Sequence, residues 1–146
     1  MKFKKINFGH IDDMIIAWMD RWGVTLLRYS LAIVFIWFGI LKPFGLSSAT
    51  DMVAKTVYWV DPAWFIPFLG WWEVVIGVCL LYKPMVRAGI FLMALQMAGT
   101  FLPMILLPDV VYVQFPFVLT LEGQYIVKNI VLISAAIVVG SKVKEK

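Results

Sequence analysis

Seven polar residues stand inside or at the edges of otherwise apolar runs: Lys42, Glu73, Gln96, Thr100, Glu122, Gln124 and Lys128. A lysine and a carboxylate held with amides in a low-dielectric setting can hydrogen-bond a carbonyl or hydroxyl ring compound, or relay a proton. The stretch "LEGQYIVKN" (Leu121–Asn129) concentrates four such groups at the front of a long oily run. Charge at membrane depth costs about 3 kcal/mol per residue near the centre, so such residues face a bundle interior and pair.

The spacing around each residue sharpens this. Glu73 has Gly70 at i−3 and Gly77 at i+4, a small-residue stripe along which a second helix can approach closely. Neutralising a buried cation for assembly is the plainer role for this carboxylate. Gly89, Met93, Gln96, Thr100 and Pro103 share one helical stripe, with Gln96 near its middle; glue between helices is the plainer role there. Gln124 lies one turn above Lys128 on the same face, while Lys128 alone would simply snorkel to the interface. Lys42 fits an interfacial anchor at the outer end of the first span. Arg28 lies toward the opposite end of that span and reads as a lipid-phosphate contact or a structural cation.

The elements that must position these residues follow from composition. The chain has 146 residues, of which 62% are hydrophobic, and its mean hydropathy is +0.89. Soluble domains are nearer 45–50% apolar, so most of this chain has a bilayer as its solvent. Four runs approach the ~20 residues that cross ~30 Å of hydrocarbon: about 24–41, 64–82, 85–107 and 123–140. With no water to satisfy the backbone, these runs must be helices. Asp61 and Pro62 mark the second start as N-cap and first helical residue. The expected fold is an all-α membrane protein, a four-transmembrane-helix bundle over 24–140.

Residues 1–23 form an amphipathic N-terminal segment. Ile11, Met14, Ile15, Trp18, Met19 and Trp22 keep helical spacing opposite Asp12, Asp13, Asp20 and Arg21, which predicts a helix lying in the cytoplasmic interface. Residues 141–146 are a basic tail. Ser47–Val60 holds a short surface helix, and Pro108–Thr120, rich in β-branched, aromatic and Pro residues, is expected to be extended. No A-x-A-like site closes the first apolar run, so no cleavable signal is expected.

Lys2, Lys4, Lys5, Arg21, Lys83, Arg87, Lys142, Lys144 and Lys146 flank one side of the spans; Lys42 and Lys55 are all that the other loops hold. The bias puts both termini in the cytoplasm. It also accounts for the net charge of +4 without nucleic acid, which is not expected as a partner. One cysteine, Cys79, and one histidine, His10, argue against a disulfide centre and against haem or zinc held by His and Cys ligands.

Three stretches resemble the DoxX-like (DoxX/DoxD) family of small bacterial membrane proteins, including its reactive-chlorine-resistance-related branch: "LLRYSLAIVFIWFGILK", "GWWEVVIGVCLLY" and "LTLEGQYIVKNIVLISAAIVV". The resemblance covers about Thr25–Val139. Its motifs are an Arg opening the first span, G-x-x-K closing it, E-x-x-x-G in the second, and E-G-Q-x-x-x-K-[ND] opening the fourth; the last is the most specific. It implies a multi-pass protein of the bacterial inner membrane. DoxD is associated with a thiosulfate:quinone oxidoreductase and other relatives with redox or oxidative-stress complexes. By motif match Arg28, Lys42, Glu73, Glu122, Gln124 and Lys128 carry over. The paired cysteines of some related redox membrane proteins are absent here.

The expected function is therefore a quinone-linked or redox-stress membrane subunit with a polar site in the outer half of the bundle. The chain offers no electron carrier of its own, so a partner or the substrate must supply electrons. Two other functions fit: a non-catalytic anchor or assembly partner of a larger complex in the membrane or periplasm, and a small carrier or channel. Membrane lipids are expected around all of these. The Ala94/Ala98 face permits a homo-oligomer.

Overall fold

The structure is a computed structural model that describes residues 8–144. Lys2, Lys4 and Lys5 and the last two residues of the basic tail, 145–146, lie outside the described residues.

Four helices are long and apolar enough to cross a membrane, and they fit a multi-pass membrane protein. They are α1 (Phe8–Leu41), α3 (Pro62–Leu81), α4 (Val86–Thr100, extended by neighbouring turns) and α7 (Leu121–Ser141). The shorter elements are α2 (Thr50–Thr56), α5 (Pro103–Leu106), α6 (Pro108–Val111) and the antiparallel strands β1 (Tyr112–Gln114) and β2 (Val118–Leu119). The expected surface helix in Ser47–Val60 is α2. The expected extended segment opens with a single turn, α6, and then runs as two short extended strands paired in a hairpin.

Local chemistry sets the ends. Asp61 caps α3, its carboxylate accepting from the Ala63 N–H at 2.9 Å, with Pro62 next to it where a missing N–H costs nothing. Thr120 caps α7 by accepting from the Gly123 N–H at 3.1 Å. It also donates to the Val110 carbonyl at 2.7 Å, which ties α7 to α6. After α1 the chain reverses through Gly45 at φ +69°, where a side chain would be strained, and the Leu46 N–H closes the turn on the Leu41 carbonyl at 2.9 Å.

Two boundaries differ from the sequence expectation. The amphipathic segment is not a separate helix: α1 runs unbroken through Gly23 for 34 residues, or ~51 Å at 1.5 Å per residue. A lone glycine costs only about 1 kcal/mol in a helix, and no proline or cap stands beside it to end the run. The third span is also interrupted. α4 stops at Thr100 because Pro103 cannot donate back to Gly99, and the chain makes a turn before α5 begins at Pro103.

The core lies between α1, α3, α4 and α7. Leu31, Ala32, Phe35, Ile76, Leu80, Val86, Met93, Met97, Ala135, Ala136 and Val139 form one buried cluster. It fills the half of the bundle nearer the α3–α4 turn. Around it Trp37, Phe38, Phe91, Val131 and Ile137 are exposed, a surface oily on every side.

Candidate functional site

In the other half of the bundle the α1–α3 seam is made of glycine. A Cβ on Gly39 would stand 2.7 Å from the Gly70 carbonyl oxygen, and one on Gly70 2.6 Å from that of Gly39. Further along, a Cβ on Gly77 would meet the Ala32 carbonyl oxygen at 2.7 Å. The two backbones touch, as close small-residue packing permits. Gly70 also makes room for Lys42, whose Cβ lies 2.8 Å from where a Gly70 Cβ would be.

That closeness brings three predicted site residues together. Lys42 Nζ donates to Glu73 Oε2 at 2.5 Å, and both residues are only 8% exposed. Gln96 of α4 donates through Nε2 to Glu73 Oε1, also at 2.5 Å. Both carboxylate oxygens are thus engaged, and α1, α3 and α4 are joined through one side chain. This is the one ion pair among the described residues.

The other end of the Gln96 amide is different. Its Oε1 is buried and has no hydrogen-bond partner. The carboxylate only accepts, so the amide must turn its NH2 toward Glu73 and leave its carbonyl oxygen facing elsewhere. A buried acceptor without a donor costs about 1–3 kcal/mol and calls for an explanation. Lys42 has three N–H groups and uses one on Glu73, so one carboxylate is shared by a cation with further donors and an amide with an unpaired acceptor.

The remaining predicted residues are placed apart. Thr100, one turn from Gln96, is half-buried, and its hydroxyl donates to the Met97 carbonyl of its own helix at 2.9 Å. Glu122, Gln124 and Lys128 are exposed on the first turns of α7 and do not reach the Lys42–Glu73–Gln96 group. Lys128 Nζ sits 5.0 Å above the Tyr125 ring. Arg28 is buried near the middle of α1, its guanidinium 4.9 Å from the Tyr29 ring. From Arg28 to Lys42 along the helix is ~21 Å.

Sequence reasoning missed Gly39 as the partner of the Gly70 stripe. The signal was there in paired form: Gly39 precedes Lys42 by three residues, as Gly70 precedes Glu73. It also missed Trp72, whose indole N–H reaches the Leu92 carbonyl at 3.4 Å and adds a link between α3 and α4. Among the described residues no three His, Cys, Asp or Glu side chains group as metal ligands, and Cys79 is free and buried.

No protein-family model, curated protein or solved structure matches this chain.

Proposed function

We propose that this chain is an inner-membrane protein of the DoxX-like type, with both termini in the cytoplasm, and that Lys42, Glu73 and Gln96 bind a quinone head group as part of a redox complex. One observation carries the reading: the unpaired Gln96 Oε1 beside an ion pair with spare donors. A quinone ring presents carbonyl oxygens when oxidised and hydroxyls when reduced. Lys42 has N–H groups to donate to the former, and Gln96 Oε1 can accept from the latter. Glu73 lies between the two and is the group through which a proton can pass. Gln96 is only half-buried, and its neighbours on α4, Ala94, Leu95, Ala98 and Gly99, are exposed, so the wall toward lipid is thin there. A quinone supplies two-electron, two-proton chemistry; the electrons come from a partner, since this chain offers no carrier.

A second reading has its own observation. The three hydrogen-bonded residues lock three helices together, and Glu122, Gln124 and Lys128 face outward, as the docking face of a membrane anchor would. The two separate in one experiment. The protein is purified gently and its co-purifying lipids and proteins are scored together by mass spectrometry, beside Gln96→Leu and Lys128→Met. Quinone retained by the wild type and by Lys128→Met but lost in Gln96→Leu supports the site. A stoichiometric protein partner without quinone, lost in Lys128→Met, replaces it with the anchor reading.

A further inference from the structure

Arg28, within α1, is a further buried cation, 8% exposed like Lys42 just past that helix. Lys42 has Glu73; among the described residues Arg28 has no carboxylate within salt-bridge reach. The contact its guanidinium makes is with the Tyr29 ring. None of its nitrogens is among the fully buried polar atoms without a partner, so the N–H groups reach the surface of the bundle, where an anion can meet them. The nearest acid before it on α1, Asp20, stands ~12 Å away along the helix. A buried cation in an apolar bundle needs an anion, and among the described residues no carboxylate pairs with it.

The surroundings of Arg28 indicate which anion. Ala32 packs against Gly77, so one helical turn further Arg28 is level with the end of α3 at Leu81 and the turn that carries Lys83. Arg87 opens α4 at the same end, and Lys144 follows α7 there. Asp51, Asp61, Asp109 and Glu122 all lie at the opposite end, while Asp12, Asp13 and Asp20 on the first turns of α1 are outnumbered at this one by Arg21, Arg28, Lys83, Arg87, Lys142 and Lys144. A bundle with one basic end, cations next to apolar helix faces, and a guanidinium in the seam matches a phosphate presented at a membrane surface. A guanidinium meets a phosphate through two parallel N–H bonds, which a lysine cannot copy.

We infer that Arg28, with Lys83 from the adjacent turn, binds the phosphate of an anionic lipid headgroup at the α3–α4 end of the bundle. This site is separate from the Lys42–Glu73–Gln96 group and rests only on the membrane placement proposed above, not on the quinone.

The test uses the full chain in nanodiscs of phosphatidylcholine alone, of phosphatidylcholine with phosphatidylglycerol, and of phosphatidylcholine with inorganic phosphate in the buffer. Wild type, Arg28→Met and Arg28→Lys are compared by thermal midpoint and by lipid adducts in native mass spectrometry. The wild type should hold phosphatidylglycerol over phosphatidylcholine by about tenfold, and its midpoint should rise with that lipid. Arg28→Met should lose the preference and with it the rise in midpoint on phosphatidylglycerol. Arg28→Lys should retain a reduced preference. If inorganic phosphate alone raises the wild-type midpoint and phosphatidylglycerol is not preferred, the phosphate site stands and its lipid source is overturned. If wild type and Arg28→Met show the same lipid ratio and no phosphate response, the site is overturned. A chain that does not enter nanodiscs would instead refute the membrane placement, a failure distinguishable from both.

Discussion

Replacing Glu73 by Gln keeps the side chain's shape and removes its charge, leaving Lys42 buried and unopposed. At 2.5 Å the pair's gross attraction is roughly 6 kcal/mol at an effective dielectric near 20. Taking the two ions out of water costs several kcal/mol for each, so the pair as a whole adds little net stability. Removing one partner forfeits the attraction and keeps the other's penalty, so Glu73→Gln and Lys42→Met should each cost about 3–5 kcal/mol. The double variant, with nothing charged left in the seam, should recover most of that and unfold within about 1–2 kcal/mol of wild type. An ordinary interhelical hydrogen bond in a membrane protein couples by only about 0.6 kcal/mol, so the expected coupling of 3 kcal/mol or more identifies an ion pair and not general polar glue. The assay is reversible unfolding in mixed micelles with rising denaturing detergent, followed by tryptophan fluorescence. Single effects that add within about 0.5 kcal/mol in the double variant would show that the two residues do not interact and would refute the geometry of the site.

Glycine substitutions test the seam with opposite signs. Gly39→Ala and Gly70→Ala place a methyl under 3 Å from a facing carbonyl oxygen and should destabilise by about 3 kcal/mol or more. Gly23→Ala meets nothing within 4 Å and should stabilise by about 0.5–1 kcal/mol if α1 is continuous; the same unfolding assay reads all three. Thr120→Val removes the cap on Gly123 and the bond to Val110, and should cost about 1–2 kcal/mol, with amide exchange rising selectively in the first turn of α7. Lys128→Met changes an exposed residue and should leave the unfolding midpoint within about 0.5 kcal/mol of wild type; a loss as large as that of Glu73→Gln would place Lys128 inside the site after all.

Position along the helices was legible in the sequence; rotation about them was legible only in part. Hydropathy and the Asp61–Pro62 and Thr120 caps locate the long helices to within a few residues, because caps and apolar length are one-dimensional signals. Glu73 could also be turned correctly, since Gly70 and Gly77 mark the face where a neighbour must approach. Lys128 had no such mark. Its helix is apolar on nearly every side, so no periodicity tells which way the lysine points, and it stands on the exposed side of the bundle. Lys42 shows the reverse. One residue past the end of α1, it has the position of an interfacial anchor, yet it is buried because Gly70 opposite it leaves space for its stem. The run from His10 to Trp22 specified a helix but not where that helix ends, since continuity through Gly23 depends on the absence of a stop signal.

The contrast between Lys42 and Arg28 carries the functional argument further than either residue does alone. Arg28 lies within α1 and Lys42 just past its end, with the same small exposure. Lys42 meets an acid that glycine packing delivers to it, so its charge is settled within the chain and the polar atom left over is a neutral acceptor, Gln96 Oε1. A neutral acceptor beside a balanced pair suits an uncharged, hydrogen-bonding ligand, because a charged one would upset the balance. Arg28 is not balanced, so what it takes must be an anion. Two levels of one bundle thus call for two different ligand chemistries, and a single ligand of either charge cannot account for both.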